Sequence, residues 1–226
     1  KAWRSGDLGA DPVHGAGTTT SLDTTEDGIS PQEWPYPFEI SLTIQLLLGN
    51  LRTTVLIRNT GEKPMPFGLG FHPYFPPPLG PNGDMESCEV QIPAGYRWTN
   101  PAVQPVIAAA VAPTSWPRQL TPIKNIEVGL ITPKGPIRNH WFTLWQTPAS
   151  APRLIGRLVD SSNRIQVRVT ASPEFSASVF YTPPGIQSAS LEPHTGLPNA
   201  FNLKDPGQPS PGLSIIAPHE EWTGWY

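Results

Sequence analysis

Thirty of the 226 residues are proline, and they run through the whole chain rather than gathering in one tail. Proline has no backbone N–H and clashes with the preceding turn of a helix. It is admitted to turns, strand ends and sheet edges, but not to helix interiors. Average usage near 5% would put only about eleven in a chain of this length. The one Ala-rich spot, residues 108–110, is confined by Pro105 and Pro113, and no segment is predicted as an amphipathic helix. A chain punctuated this densely is expected to be β structure joined by long connections.

The clearest periodicity agrees. Ile40, Leu42, Ile44 and Leu46 alternate with Ser41, Thr43 and Gln45, the period of two that marks a half-buried strand. After a turn at Gly49-Asn50, Thr53, Val55 and Ile57 alternate with Arg52, Thr54 and Arg58. Residues 38–59 are therefore predicted to form an antiparallel hairpin with one wet face. Further strands are predicted at 89–92, 119–126, 140–145, 154–159, 164–170, 177–182, 188–191, 213–217 and 221–226. Asp160-Ser161-Ser162-Asn163 is read as a turn between two of them. Residues 1–30, polar and aperiodic, read as loop with at most one weak strand. Many short strands with frequent turn signals predict an all-β fold, a large antiparallel β-sandwich, as a single domain over 1–226.

Charge and cysteine content narrow the function classes. The formal net charge is −3 and no basic stripe is present, which argues against nucleic acid and against an anionic membrane surface as partners. No apolar run of about 18 residues exists, so no membrane-spanning helix is predicted. Cys88 is the sole cysteine, so neither an internal disulfide nor a CxxC metal site is available, and a reducing, cytoplasmic setting is expected. The first residue is Lys1 and no apolar leader is legible.

Two dipeptides stand out as chemistry. His72 precedes Pro73 within GLGFHPYF, and Glu192 precedes Pro193. A residue before proline is pushed out of the α region into extended backbone, which holds its side chain on a stiff support. Histidine exchanges protons near neutral pH, and a partly buried glutamate can act as a base. The two lie 192 − 72 = 120 positions apart, and spacing alone cannot bring them together. Ordinary loop positions remain the alternative for both.

The run EWPYPFEISLTIQL followed by NTGEKPMPFGLGFHPYF, with SLEPHTGLPNAFNL and the closing GLSIIAPHEEWTGWY, resembles the aldose 1-epimerase, or galactose mutarotase, family. The likeness is nearest to the branch that writes its histidine motif HPYF, and it covers most of residues 34–226. It implies a galactose mutarotase-like supersandwich and an isomerase that interconverts α and β anomers of free aldoses without cofactor or metal. Glu192 would then be the general base at the C1 hydroxyl and His72 the acid at the ring oxygen. The implied partner is a small sugar, a hexose or hexose phosphate, met by a monomer or homodimer.

The resemblance also marks departures. The family's chains are longer at the front, where strands bring an arginine and a second histidine to the sugar, so the fold is expected to be incomplete at the N-terminus. Arg4 and His14 offer the letters without the preceding strands. Exposed strand edges would then need covering. At Asn139 the family pattern implies an aspartate holding sugar hydroxyls; asparagine keeps hydrogen bonding without the charge. Tyr74, Trp145 and His194 join Asn139 as candidate sugar contacts, with core packing open for the aromatics and a solvated loop position for His194. His140 reads as a sheet residue, and Asp84 and Glu86 as solvated. Arg97, Arg138 and Arg153 would be the sources of charge for a phosphorylated sugar. Beside the enzyme stand two other readings: a sugar-binding module that has lost turnover, and a purely structural remnant.

Overall fold

The computed structural model describes residues 3–11, 13, 15–98, 111–113, 121–126, 130–144, 151–197, 200–201 and 212–226. The strands begin with β1 (Arg4–Ser5), β2 (Gly9–Asp11), β3 (Gly15–Asp23), β4 (Phe38–Leu47), β5 (Asn50–Asn59) and β6 (Met65–Phe67). Then come β7 (Tyr74–Phe75), β8 (Glu89–Gln91), β9 (Ala94–Trp98), β10 (Val111–Pro113), β11 (Thr121–Pro122) and β12 (Leu130–Thr132). The longer strands β13 (Gly135–Leu144), β14 (Arg153–Asp160), β15 (Ile165–Ala171), β16 (Ala177–Thr182) and β17 (Ala189–His194) follow, then β18 (Ser214–Ile216) and β19 (Glu221–Trp225). Every ladder is antiparallel. The only helical turns among the described residues are short 3-10 pieces, Met85–Ser87 and Ile123–Asn125. Contacts divide the chain into two compact units, one of residues 1–67 with 214–226 and one of 68–213.

The first unit is a sheet in the order β1-β3-β4-β5-β19, with β2 also on β3, plus the pair β18-β6. The predicted hairpin is its centre. Thr53, Val55, Ile57 and Asn59 alternate inward along β5, and Val55 and Ile57 join Met65, Phe67, Leu22 and Ile216 as buried core. The turn is shifted by one residue from the expected Gly49-Asn50. Leu47 pairs with Asn50, and Leu48 and Gly49 both take positive φ, 51° and 76°. That is the backbone a two-residue hairpin loop uses to match strand twist. At the far end buried Asn59 closes the next turn. Its amide donates to the carbonyls of Lys63, Ile216 and Ala217 and its oxygen accepts from the Gly61 N–H, all within 2.8–3.1 Å.

The N-terminal reading needs correction. Residues 1–30 hold three strands, and the nine-residue β3 pairs with β4 from Ala16↔Leu46 to Asp23↔Glu39. Its Thr-rich sequence carries no alternation of its own. The neighbour supplies the pattern, as β propensity is largely a matter of fitting an existing pleated surface.

The second unit holds a sheet in the order β10-β9-β13-β16-β17-β7, with β12 on β13, and another in the order β11-β8-β14-β15. Phe142, Phe175, Phe180, Ile155, Leu158 and Leu191 are among its largest fully enclosed side chains. The expected strand at 119–126 survives as Thr121–Pro122 before a 3-10 turn, since Pro122 has no N–H to continue a ladder; residues 119–120 lie outside the described residues. The strand expected at 188–191 instead runs Ala189–His194, which carries Glu192 into the sheet.

Candidate active site

Two strand edges in the second unit bring the proline-linked residues face to face. Gly70 bridges to His194 and Tyr74 pairs with Ser190, so the same antiparallel register sets His72 opposite Glu192. Between those two pairings the ladder has a gap where Pro73 and Pro193 offer no N–H. The edges are held on one side by mutual bonds of Leu69 and Thr195, including Thr195 N–H to the Leu69 carbonyl at 2.8 Å. Phe71 N–H also donates to the Pro193 carbonyl at 3.0 Å.

Alternation along β17 puts Ser190, Glu192 and His194 on one face. Beneath them in register stand Tyr181, Val179 and Ala177 of β16, and beyond these Asn139, Trp141 and Thr143 of β13. Glu192 is almost enclosed, its side chain 5% exposed, while that of His72 is 46% exposed. His72 Nε2 lies 3.0 Å from Glu192 Oε1, and His194 Nε2 lies 3.1 Å from Oε2. Each carboxylate oxygen thus meets its own imidazole. Tyr74 stacks on His72 at 4.5 Å between ring centroids, and Tyr181 meets the same ring edge-on at 5.6 Å. Trp141 stands edge-on to His194 at 5.1 Å. Burial, then Tyr181 and the Glu192 carboxylate, push the Tyr74 phenol above its ordinary value, so it stays protonated as a donor.

The other expected contacts fall as follows. Asn139 is on the site face, its Oδ1 buried with no hydrogen-bond partner among the described residues, as is Trp141 Nε1. His194 is not the solvated loop position that was one expectation for it: it ends β17, on the face it shares with Glu192, and is bound to Glu192. His140 is buried on the opposite face. Glu86, expected to be solvated, receives both terminal nitrogens of buried Arg138 at 3.3 and 2.9 Å, while Arg138 Nε donates to the Ile126 carbonyl. Asp84 caps the 3-10 turn, accepting from the Ser87 N–H at 2.8 Å. Arg97 is in register with Phe142, on the face away from Trp141, and Arg153 begins β14 in the other sheet. Arg4, in the first unit, pairs with Glu26 and Asp27. His14 and Trp145 lie outside the described residues.

Ser190, Tyr181 and Trp141 are site neighbours that the sequence reading missed. Ser190 was within reach, two residues from Glu192 in an alternating strand; the other two depend on strand pairing. Among the described residues no group of three or more His, Cys, Asp or Glu is arranged to hold a metal ion, and no helix is long and apolar enough to cross a membrane.

A carboxylate with one imidazole on each oxygen, reachable through the exposed His72 side, can take a proton at one atom and give one at a neighbour. The aldose 1-epimerase family model matches residues 11–226. The chain belongs to the aldose 1-epimerase family. Its fold is that of galactose mutarotase-like sandwiches. A galactose mutarotase-like protein from Clostridium acetobutylicum superposes with a TM-score of 0.74 at 20% identity, over 99% of this chain and 64% of that one. A protein from Synechocystis sp. PCC 6803 gives 0.69 at 21% identity, over 99% and 63%. An aldose epimerase homologue from C. elegans gives 0.66 at 12% identity, over 100% and 67%. The chain therefore spans just under two thirds of the first two of these structures. No curated protein matches the sequence.

Proposed function

We propose that this aldose 1-epimerase family chain exchanges the α and β anomers of free hexoses, with Glu192 as general base and His72 as general acid. The observation that carries the reading is the 3.0 Å contact between His72 Nε2 and Glu192 Oε1. The C1 hydroxyl and the ring oxygen of an aldose sit on the same carbon, so the base and acid serving them must be close neighbours. Glu192 takes the C1 hydroxyl proton as the bond from C1 to the ring oxygen breaks, and His72 protonates that oxygen. Rotation about C1–C2 and closure from the other face reverse both transfers. Tyr74 and Tyr181 wall the acid, and Asn139 and Trp141 offer polar atoms to the sugar from the neighbouring strand.

Arg138 is spent on Glu86 on the far face, so it is not a source of charge for a phosphorylated hexose. The test is anomer exchange on glucose and galactose by NMR, with Glu192→Gln and His72→Ala alongside. Positioned acids and bases are each worth about 10²- to 10⁴-fold, so both variants should fall to near the buffer rate. Exchange by the unaltered chain at the buffer rate, with sugar still bound, would replace this reading by a binding module.

A further inference from the structure

The hydrogen bonds behind His72 contain more than its orientation. Ser190 is fully buried, and its Oγ lies 2.8 Å from the Pro73 carbonyl and 3.0 Å from His72 Nδ1. A carbonyl only accepts, so the single hydroxyl proton goes to Pro73. The serine oxygen then faces Nδ1 with a lone pair, and Nδ1 must carry the hydrogen. We propose that Ser190 is a positioning residue that fixes His72 in the Nδ1–H form and thereby makes Nε2 the atom through which its mobile proton passes. The inference rests on the acid–base reading above and adds a residue to it.

The consequence for the reaction is a ring that never has to rearrange. In its acid form His72 holds Nδ1–H on Ser190 and Nε2–H toward the site. As the C1–ring oxygen bond breaks, its electron pair leaves on the ring oxygen, which takes the Nε2 proton. Glu192 takes the C1 hydroxyl proton, and that O–H pair becomes the second bond of the open-chain carbonyl. The neutral imidazole left behind has its hydrogen on Nδ1, where Ser190 already accepts it, and a bare Nε2 ready to take the proton back on closure. Without Ser190 the neutral ring would be drawn to the other tautomer, donating Nε2–H to the Glu192 carboxylate 3.0 Å away. That form cannot receive a proton at Nε2. The pair of contacts also ties the residue to its register, since Ser190 lies opposite Tyr74, whose ring stacks on His72.

The experiment is long-range 1H–15N NMR on the whole chain with labelled histidine, taken where His72 is neutral, for the unaltered protein, Ser190→Ala and Ser190→Cys. The expected result is Nδ1–H for His72 in the unaltered chain and a shift to Nε2–H in Ser190→Ala. Sulfur is a weak acceptor, so Ser190→Cys should be intermediate. In anomer exchange Ser190→Ala should lose about tenfold or more in kcat, a part of what the whole acid contributes. KM should move less than about twofold, because ground-state binding is untouched. An Nε2–H ring in the unaltered chain, or a folded variant that keeps the original tautomer and rate, overturns the proposal. The NMR test stands even if Ser190→Ala fails to fold, because the unaltered chain must still show Nδ1–H and Ser190→Cys must still move part-way toward Nε2–H. If the unaltered chain exchanges no anomers, the acid–base reading falls by itself, while the tautomer still decides the role of Ser190.

Discussion

The ring of His194 occupies the space that a β-carbon on Gly70 would need: such a carbon would come within 2.2 Å of His194 Nδ1 and 2.3 Å of Cε1. The glycine is what lets the imidazole lie against the neighbouring backbone while Nε2 reaches Glu192. Trp141 meets the same ring at 5.1 Å, so it has little room to yield. Gly70→Ala should destabilise by about 1–3 kcal/mol, the usual cost of overpacking. It should also break the His194–Glu192 bond. Chemical denaturation measures the first effect, and the ring 15N shifts of His194 report the second.

Leu48 is the opposite case, a side chain where glycine or asparagine would fit better. It holds a φ of 51° and is 90% exposed, so it bears the left-handed backbone cost without burying anything. That conformation costs a branched residue roughly 1–2 kcal/mol, and asparagine tolerates it. Leu48→Asn should raise stability by about 1 kcal/mol, seen as a higher denaturant midpoint with an unchanged slope.

Arg138 is enclosed by the sheet and answered by Glu86, whose side chain is 45% exposed. Removing the carboxylate leaves a buried guanidinium whose remaining side-chain partner among the described residues is the Ile126 carbonyl on its Nε. Glu86→Ala should cost about 1–3 kcal/mol, the range for stranding a buried polar group. Anomer exchange should change little, as Arg138 faces away from Glu192 along β13. A loss of exchange with stability intact would contradict that placement.

Asp160 sets an acid limit. Burial pushes its carboxyl up, but the Asn163 side chain and the backbone N–H groups of Asn163, Leu79 and Ser162 outweigh this and hold it below the ordinary carboxylate value. The unfolded chain therefore takes up the proton first as pH falls. The stabilisation is complete above the unfolded value near 3.9 and is lost as pH drops through the folded one. The melting temperature should fall as pH drops below about 4, and Asp160→Asn should flatten that limb.

How much of this was legible in the sequence follows from where each pattern is written. The β4–β5 hairpin was readable because Ile40 to Ile57 alternate in the chain itself. β3 was not, because its threonines are ordered only by pairing with β4. The stiff extended backbone at His72 and Glu192 was readable from the prolines that follow them, but their register was not. It depends on Gly70 meeting His194 and Tyr74 meeting Ser190, contacts well over a hundred positions apart in sequence. The bond from Arg138 to Glu86 is hidden for the same reason: a carboxylate that remains 45% exposed is also engaged by a distant strand.

The acid, the base and the serine behind them stand on or beside the β16-β17-β7 ladder rather than on an appended loop. Their alignment has no thermal life of its own. Warming that spares the ladder spares the site, and warming that parts the strands removes all three groups together. Inactivation on heating should therefore trace the unfolding curve itself, with no range of temperature in which a sound fold houses an idle centre.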